Sequence, residues 1–318
     1  MTSPSAQPIS AELVAVLAAV TDCEPRVLTT HDGTALPSGP FQMMHRSLQA
    51  GLREWVEAQT HHPLGYVEQL YTFADRGRGA EGAGEHPIAR HGVISISYLG
   101  LTREPTHIAA RAEGWQNWHR YFPWEDRRAK GPEVIPAMIA PALLHWATQV
   151  KDPAQRQQRE QRIAITFGLD NYAWNEDLVL QRYELLFEAG LVPEAARHGI
   201  RCARHLVAGD PMLHDHRRIL ATGIARLRAK IKYRPVVYEL MPPEFTLLQL
   251  QQTVEALAGR GLHKQNFRRL IEQQDLVEDT GDMASGLAGR PAKLFRFRRD
   301  VVLERAVAGS KLPLSRGA

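Results

Sequence analysis

Apolar positions follow two rhythms along this chain. Residues 11–20 are almost continuously apolar, Thr21-Asp22 and Glu24-Pro25 carry turn chemistry, and Val27-Leu28 resumes the apolar run. This reads as strand, turn, strand. A loop follows at Asp32-Gly33 and Pro37-Ser38-Gly39-Pro40. The rhythm then becomes helical. Met44, Leu48, Leu52, Trp55, Val56 and Gln59 recur on one face, while Glu54 and Glu57, three apart, share another. Two further strands are predicted at 66–73 and 93–101, on either side of a Gly-rich charged loop at 76–84. From 109 to 210 the pattern is mostly helical. Its aromatic cluster, Trp115, Trp118, Tyr121, Phe122 and Trp124, is expected to pack in a core or domain interface, with stacking on an adenine as the competing reading. Residues 212–233 form another helix on Ile219, Leu220, Ile224, Leu227 and Ile231. The Ser- and Pro-rich residues 1–10 are expected to be disordered.

A compact module starts after Pro242-Pro243. Thr246 and Gln249 form a capping box before a helix that buries Leu247, Leu250, Val254 and Leu257, with Gly259 as its stop. A second helix over 263–274 is predicted to bury Phe267, Leu270 and Ile271 and to expose Lys264, Gln265, Asn266, Arg268 and Arg269. Two strands, 276–278 and 293–298, enclose a Gly-rich basic loop. Helix, turn, helix and hairpin make a winged helix, with the second helix in the major groove and the loop on the adjacent backbone. Asn and Gln pair with adenine, Arg and Lys with guanine, and the remaining cations grip phosphate. Arg290 and Lys293 would be the wing's contacts.

Composition narrows the class. The 318 residues are 44% hydrophobic and 23% charged, ordinary for a folded protein long enough to bury a core. Two distant cysteines, Cys23 and Cys202, argue against a disulfide scaffold. No apolar run suits a membrane span, and the N-terminus has no signal-peptide pattern, so a cytoplasmic location is expected. The net charge of +4 is uninformative until its distribution is seen. Residues 217–234 hold Arg217, Arg218, Arg226, Arg228, Lys230, Lys232 and Arg234 without an acid. Residues 286–299 hold Arg290, Lys293, Arg296, Arg298 and Arg299, again without one. Both stretches are candidate DNA-facing surfaces, and a solvated helix face is the competing reading of the first. The histidines His61, His62, His86 and His91, and the pair His214 and His216, lack metal spacing, so ordinary polar roles are expected.

Several motifs in order carry a resemblance. They are 227–233 (LRAKIKY), 244–247 (EFTL), 264–269 (KQNFRR), Thr280-Gly281 and 289–297 (GRPAKLFRF). This stretch resembles the C-terminal part of the NrtR-type, Nudix-related transcriptional regulators. The resemblance implies an operator-binding winged helix behind an N-terminal Nudix fold. The Nudix signature is Gly, five residues, Glu, seven residues, then Arg-Glu-apolar-any-Glu-Glu. Its carboxylates hold Mg²⁺ for diphosphate hydrolysis. Here Gly39, Arg53, Glu54 and Glu57 fall in register, but His45 and Ala58 replace two glutamates. Loss of those oxygen ligands leads to the expectation of no catalysis. About a hundred residues, 110 to 210, separate the Nudix-like part from the winged helix. With the degraded box, this is similar to the alphaproteobacterial NadQ branch.

The expected fold is α+β. A degenerate Nudix-like α/β/α sandwich (1–108) is followed by a helical insertion completing or packing on it (109–211), a linking helix (212–235) and a winged helix (236–318). The resemblance implies a homodimeric repressor of NAD-biosynthesis genes. It would bind double-stranded operator DNA and sense an adenine nucleotide effector (NAD, ATP or ADP-ribose), with no required cofactor. A Nudix hydrolase of ADP-ribose-like substrates with an accessory DNA-binding domain is the alternative.

Overall fold

The computed structural model describes residues 10–42, 44–60, 66–74, 93–103, 114–129, 131–232, 236–284 and 291–298. The expected disorder at 1–9, the whole Gly-rich loop at 76–84, His61, His62, His86, His91, Arg234, Arg290 and Arg299 lie outside these residues.

The first apolar run forms β1 (Ser10–Thr21), which turns through Asp22 and Cys23 into antiparallel β2 (Glu24–Leu28). A short β3 (Ser38–Pro40) pairs with the start of β1. Helix α1 (Leu48–Thr60) follows, then β4 (Tyr66–Phe73) and β5 (Val93–Leu101). β5 runs parallel to β1 and antiparallel to β4. The last strand, β6 (Trp115–Asn117), pairs with β2, giving the order β4-β5-β1-β2-β6 with β3 beside β1. The mixed sheet therefore extends into the stretch expected to be helical.

Strand alternation sets the layers. Leu13, Ala15, Leu17 and Ala19 join Leu52 and Val56 of α1 in one buried cluster. Val14, Val16 and Ala18 face the opposite way and join a larger cluster. That cluster includes Ile219, Leu220, Ile224 and Leu227 of a long helix, His216–Ile231. Gly223 of this helix sits so close to β1 that a Cβ would lie 2.8 Å from the Val16 side chain. The sheet is thus sandwiched between helices.

In chain order, α2 (Ala140–Thr148), α3 (Pro153–Phe167), α4 (Val179–Glu188) and α5 (Pro193–Arg197) come between the last strand of the sheet and the long helix. The long helix is then α6. Trp118, Tyr121, Phe122 and Trp124 are buried in the larger cluster, as expected of core aromatics. Helix α1 starts four residues later than the apolar spacing suggested. Met44 stands outside it and is 81% exposed, because helical periodicity continues through a loop that does not pack.

The C-terminal module comprises α7 (Leu247–Ala258), α8 (Lys264–Gln274), β7 (Val277–Met283) and β8 (Lys293–Phe297). Thr246 and Gln249 form the capping box at α7, and Gly259 ends it in a left-handed conformation, φ 67°. β7 and β8 pair antiparallel, and Phe245 adds an isolated antiparallel bridge to Phe295 on β8. Leu270 does not reach the core. It is half exposed, while Phe267 and Ile271 alone anchor α8. No described helix is long and apolar enough to cross a membrane.

Candidate nucleic-acid interface and the degenerate box

Helix α8 presents two opposite faces. Phe267 and Ile271 point into the module, whereas Lys264, Gln265, Asn266, Arg268 and Arg269 are exposed. Lys264, Arg268 and Arg269 have no ion-pair partner among the described residues. The wing differs. Lys293 Nζ lies 2.7 Å from Asp279, Arg296 Nε 2.6 Å from Glu278, and Arg298 pairs with Asp275. These are surface pairs worth little, so they exchange readily for phosphate. Asp275, Glu278 and Asp279 are held by the wing's cations, and α8 carries one exposed acid, Glu272, beside Lys264, Arg268 and Arg269.

The described part of the basic stretch, 217–232, does not form a continuous DNA-facing surface. Arg217 lies fully buried, 3.2 Å from Glu194, and donates to the Tyr121 carbonyl at 2.5 Å. Arg218 pairs with Asp215 and Glu184, and Lys230 with Glu68. Lys232 sits 3.1 Å from Glu176 and 2.9 Å from Asp177. Arg226 is exposed. Apart from Arg226, the cations along α6 are matched by acids, mostly on other elements, pairings that sequence distance conceals.

Arg228 completes a buried triad. Glu125 accepts from Arg182 Nε at 2.5 Å and Nη2 at 2.9 Å, and from Arg228 Nη1 at 2.5 Å. All three side chains are inaccessible to solvent. Burial would raise the Glu125 carboxyl, but the two guanidiniums outweigh it and hold it below the ordinary carboxylate range. Arg228 Nε also donates to the Leu257 carbonyl at 2.9 Å. The Arg127 amide donates to the Gly259 carbonyl at 2.7 Å. A Cβ at Gly259 would lie 2.3 Å from the Glu125 carbonyl oxygen and 2.5 Å from Arg228. Sheet layer, helical segment and winged helix thus meet at one charged joint. The sequence marked Arg228 only as one cation of a basic stretch and did not mark Glu125 or Arg182, since the three come from stretches up to 103 residues apart.

The box residues have structural partners. Gly39 gives room for the Trp55 ring, which would sit 2.2 Å from a Cβ there. Trp55 Nε1 donates to the Pro40 carbonyl, and the Gln59 amide bonds both the N–H and the carbonyl of Ser38. The His45 side chain is tucked in, accepts from the Gln42 amide at 3.1 Å and lies 3.6 Å from Glu54. Arg53 is half-buried, and Glu54, Glu57 and Ala58 are exposed. Among the described residues no group of three or more His, Cys, Asp and Glu side chains is placed to hold a metal ion.

The architecture is a winged helix behind a helix-flanked mixed sheet. Residues 237–297 match the family model of the NrtR DNA-binding winged helix domain. Over 84 residues, 26% of this chain, the sequence is 43% identical to the ADPR responsive transcriptional repressor NtrR of Acinetobacter baylyi. That stretch spans 33% of the relative's length. The crystal structure of Shewanella oneidensis NrtR matches over 92% of this chain and 95% of its own, with a TM-score of 0.52 and 19% identity. The same protein complexed with a 27mer DNA gives 0.50 and 20% over the same shares. The C-terminal module is an NrtR-type winged helix, and the chain has the NrtR-type fold.

Proposed function

We propose that the chain is a homodimeric, effector-responsive repressor of NAD-biosynthesis genes. Helix α8 enters the major groove of operator DNA. Gln265 and Asn266 read base edges, Arg268 and Arg269 read bases or grip phosphate, and Lys264 and the wing's Lys293 and Arg290 hold the backbone. The observation that carries this reading is the exposed polar face of α8, whose three cations have no ion-pair partner among the described residues, set against an α6 whose cations are nearly all spent on internal pairs. Two-fold assembly follows the half-site logic of such modules.

The Nudix-like domain senses and does not hydrolyse. His45 and Ala58 stand where two carboxylates would hold Mg²⁺, and the exposed Glu54 faces His45 rather than a second carboxylate, at 3.6 Å. The effector is an adenine nucleotide: NAD, ATP or ADP-ribose. The Acinetobacter relative's description as ADPR responsive supports the last. An effector that binds one dimer state better shifts the population between operator-bound and released forms. The joint at Glu125, Arg182 and Arg228 supplies a rigid path from sheet to winged helix.

The test is a fluorescence-anisotropy titration of DNA from upstream of NAD-synthesis genes. Arg268→Ala with Arg269→Ala is expected to weaken binding at least tenfold and to lower the salt slope by about 0.9 for each phosphate no longer neutralised. Unchanged affinity in the double variant sinks the assignment of α8.

A further inference from the structure

A pocket of about 360 Å³ lies between the 30–38 loop, Gln59 at the end of α1 and the start of α6. Three histidines from distant stretches line it: His31, His214 and His216. The Leu213 amide donates to the Thr34 carbonyl at 2.7 Å and clamps the two stretches together. His31 and His214 both hold left-handed backbone, φ 49°. Such conformations persist where surrounding structure enforces them.

The protonation of His216 follows from its contacts. The ring is 2% exposed, and its Nδ1 accepts from the Leu36 amide at 3.0 Å. A neutral imidazole with an accepting Nδ1 carries its proton on Nε2. Burial, with the neighbouring His214 and His31, pushes His216 down to about 3, so the ring is neutral at physiological pH. Nε2–H is therefore a buried donor, and it has no partner among the described residues. His214 Nδ1 is likewise buried without a partner there, and its ring centre is 5.6 Å from that of His216. A metal on His216 Nε2 would require the proton on Nδ1, facing the Leu36 N–H, so the tautomer opposes metal binding. Among the described residues no Lys or Arg lines the pocket, which makes it a poor seat for phosphate.

We propose that this pocket binds the flat, uncharged edge of a heteroaromatic ring that presents an acceptor beside an amino donor. The acceptor takes the His216 Nε2–H, and the amino group donates to His214 Nδ1. The carboxamide of a nicotinamide ring and the amino edge of adenine both carry this pair. The choice of these rings rests on the effector reading above. The phosphates of such a ligand lie outside, and a ring seated here touches the first turn of α6. Arg228 of the joint lies twelve residues on, about 18 Å along the axis.

The test uses full-length ¹⁵N-labelled protein and long-range imidazole NMR spectra, titrated separately with nicotinamide and adenosine. The binding ring is expected to move the His216 Nε2 and His214 Nδ1 signals, and the responding titration names the ring. His214→Phe is expected to weaken that ligand at least tenfold while leaving the circular dichroism spectrum unchanged. Signals unmoved by both probes at millimolar concentration overturn the pocket. If ADP-ribose nonetheless changes DNA affinity, the regulatory reading survives without the pocket. If a probe moves the histidines and no nucleotide alters DNA binding, the pocket stands and the regulatory reading fails.

Discussion

Replacing Arg228 with methionine probes the joint between sheet and winged helix. The substitution keeps an extended apolar stem and removes the guanidinium. Glu125 then keeps one of its two cationic partners in a site closed to solvent. The Leu257 carbonyl loses its Arg228 donor, and with it a bond between α6 and α7. Breaking a buried ion pair by removing one partner costs about 3–5 kcal/mol. For a chain of 318 residues, an unfolding entropy of about 2.1 cal/mol/K per residue makes each kcal/mol worth roughly 1.5 °C of Tm. The expected fall is therefore roughly 4–8 °C by these scalings. Differential scanning fluorimetry, with urea unfolding followed by circular dichroism, measures it. Replacing all three members, Glu125→Leu, Arg182→Met and Arg228→Met, is expected to recover much of the loss, because desolvation of the charges nearly cancels their attraction. An Arg228→Met variant within about 1 °C of wild type would refute the buried triad, since that scale corresponds to less than about 1 kcal/mol.

Three other outcomes follow from the same geometry. Gly259→Ala is strained by its left-handed φ and its contact with the Glu125 carbonyl, so the urea midpoint should drop by the equivalent of more than about 1 kcal/mol. His119 and His216 are pushed by burial to about 4 and about 3, below the unfolded value of about 6.5. The unfolded state therefore binds more protons. Stability from both groups is full above about pH 6.5 and is lost as pH falls toward their folded values. Tm should decline from pH 7 to 5, and His119→Gln should flatten part of that decline; a flat wild-type profile rejects neutral burial. Glu54→Gln and Glu57→Gln should leave operator affinity unchanged, and wild type should release no product from a nucleoside-diphosphate panel with Mg²⁺. Turnover that disappears in either variant would instead establish a hydrolase.

The elements whose signal is local were legible in the sequence. β1, β2, α7 with its capping box, and the two faces of α8 follow from alternation, helical spacing and turn residues. The box frame was legible too, although its role in packing Gly39 against Trp55 was not. What escaped depends on the fold. The basic stretch on α6 reads as one face only while Glu125, Glu194, Glu68 and Glu176 are thought of as distant. Once the chain is folded, those acids consume it. Leu270 was assigned to the core because helical spacing alone cannot separate a buried position from one at the rim. His216 looked like an ordinary histidine because Leu36 and His31, which define its tautomer and its pocket, lie about 180 residues upstream.

The regulatory reading requires one chain to bind operator DNA and to change that binding when it holds an adenine nucleotide. The direct measurement is anisotropy of labelled DNA from upstream of NAD-synthesis genes, with the purified protein, at two salt concentrations and with ADP-ribose, NAD or ATP present or absent. Binding is expected to weaken steeply with salt and to shift at least fivefold with one of the nucleotides, a coupling of about 1 kcal/mol. Salt-independent binding, or an affinity that none of the three changes, would rule the reading out.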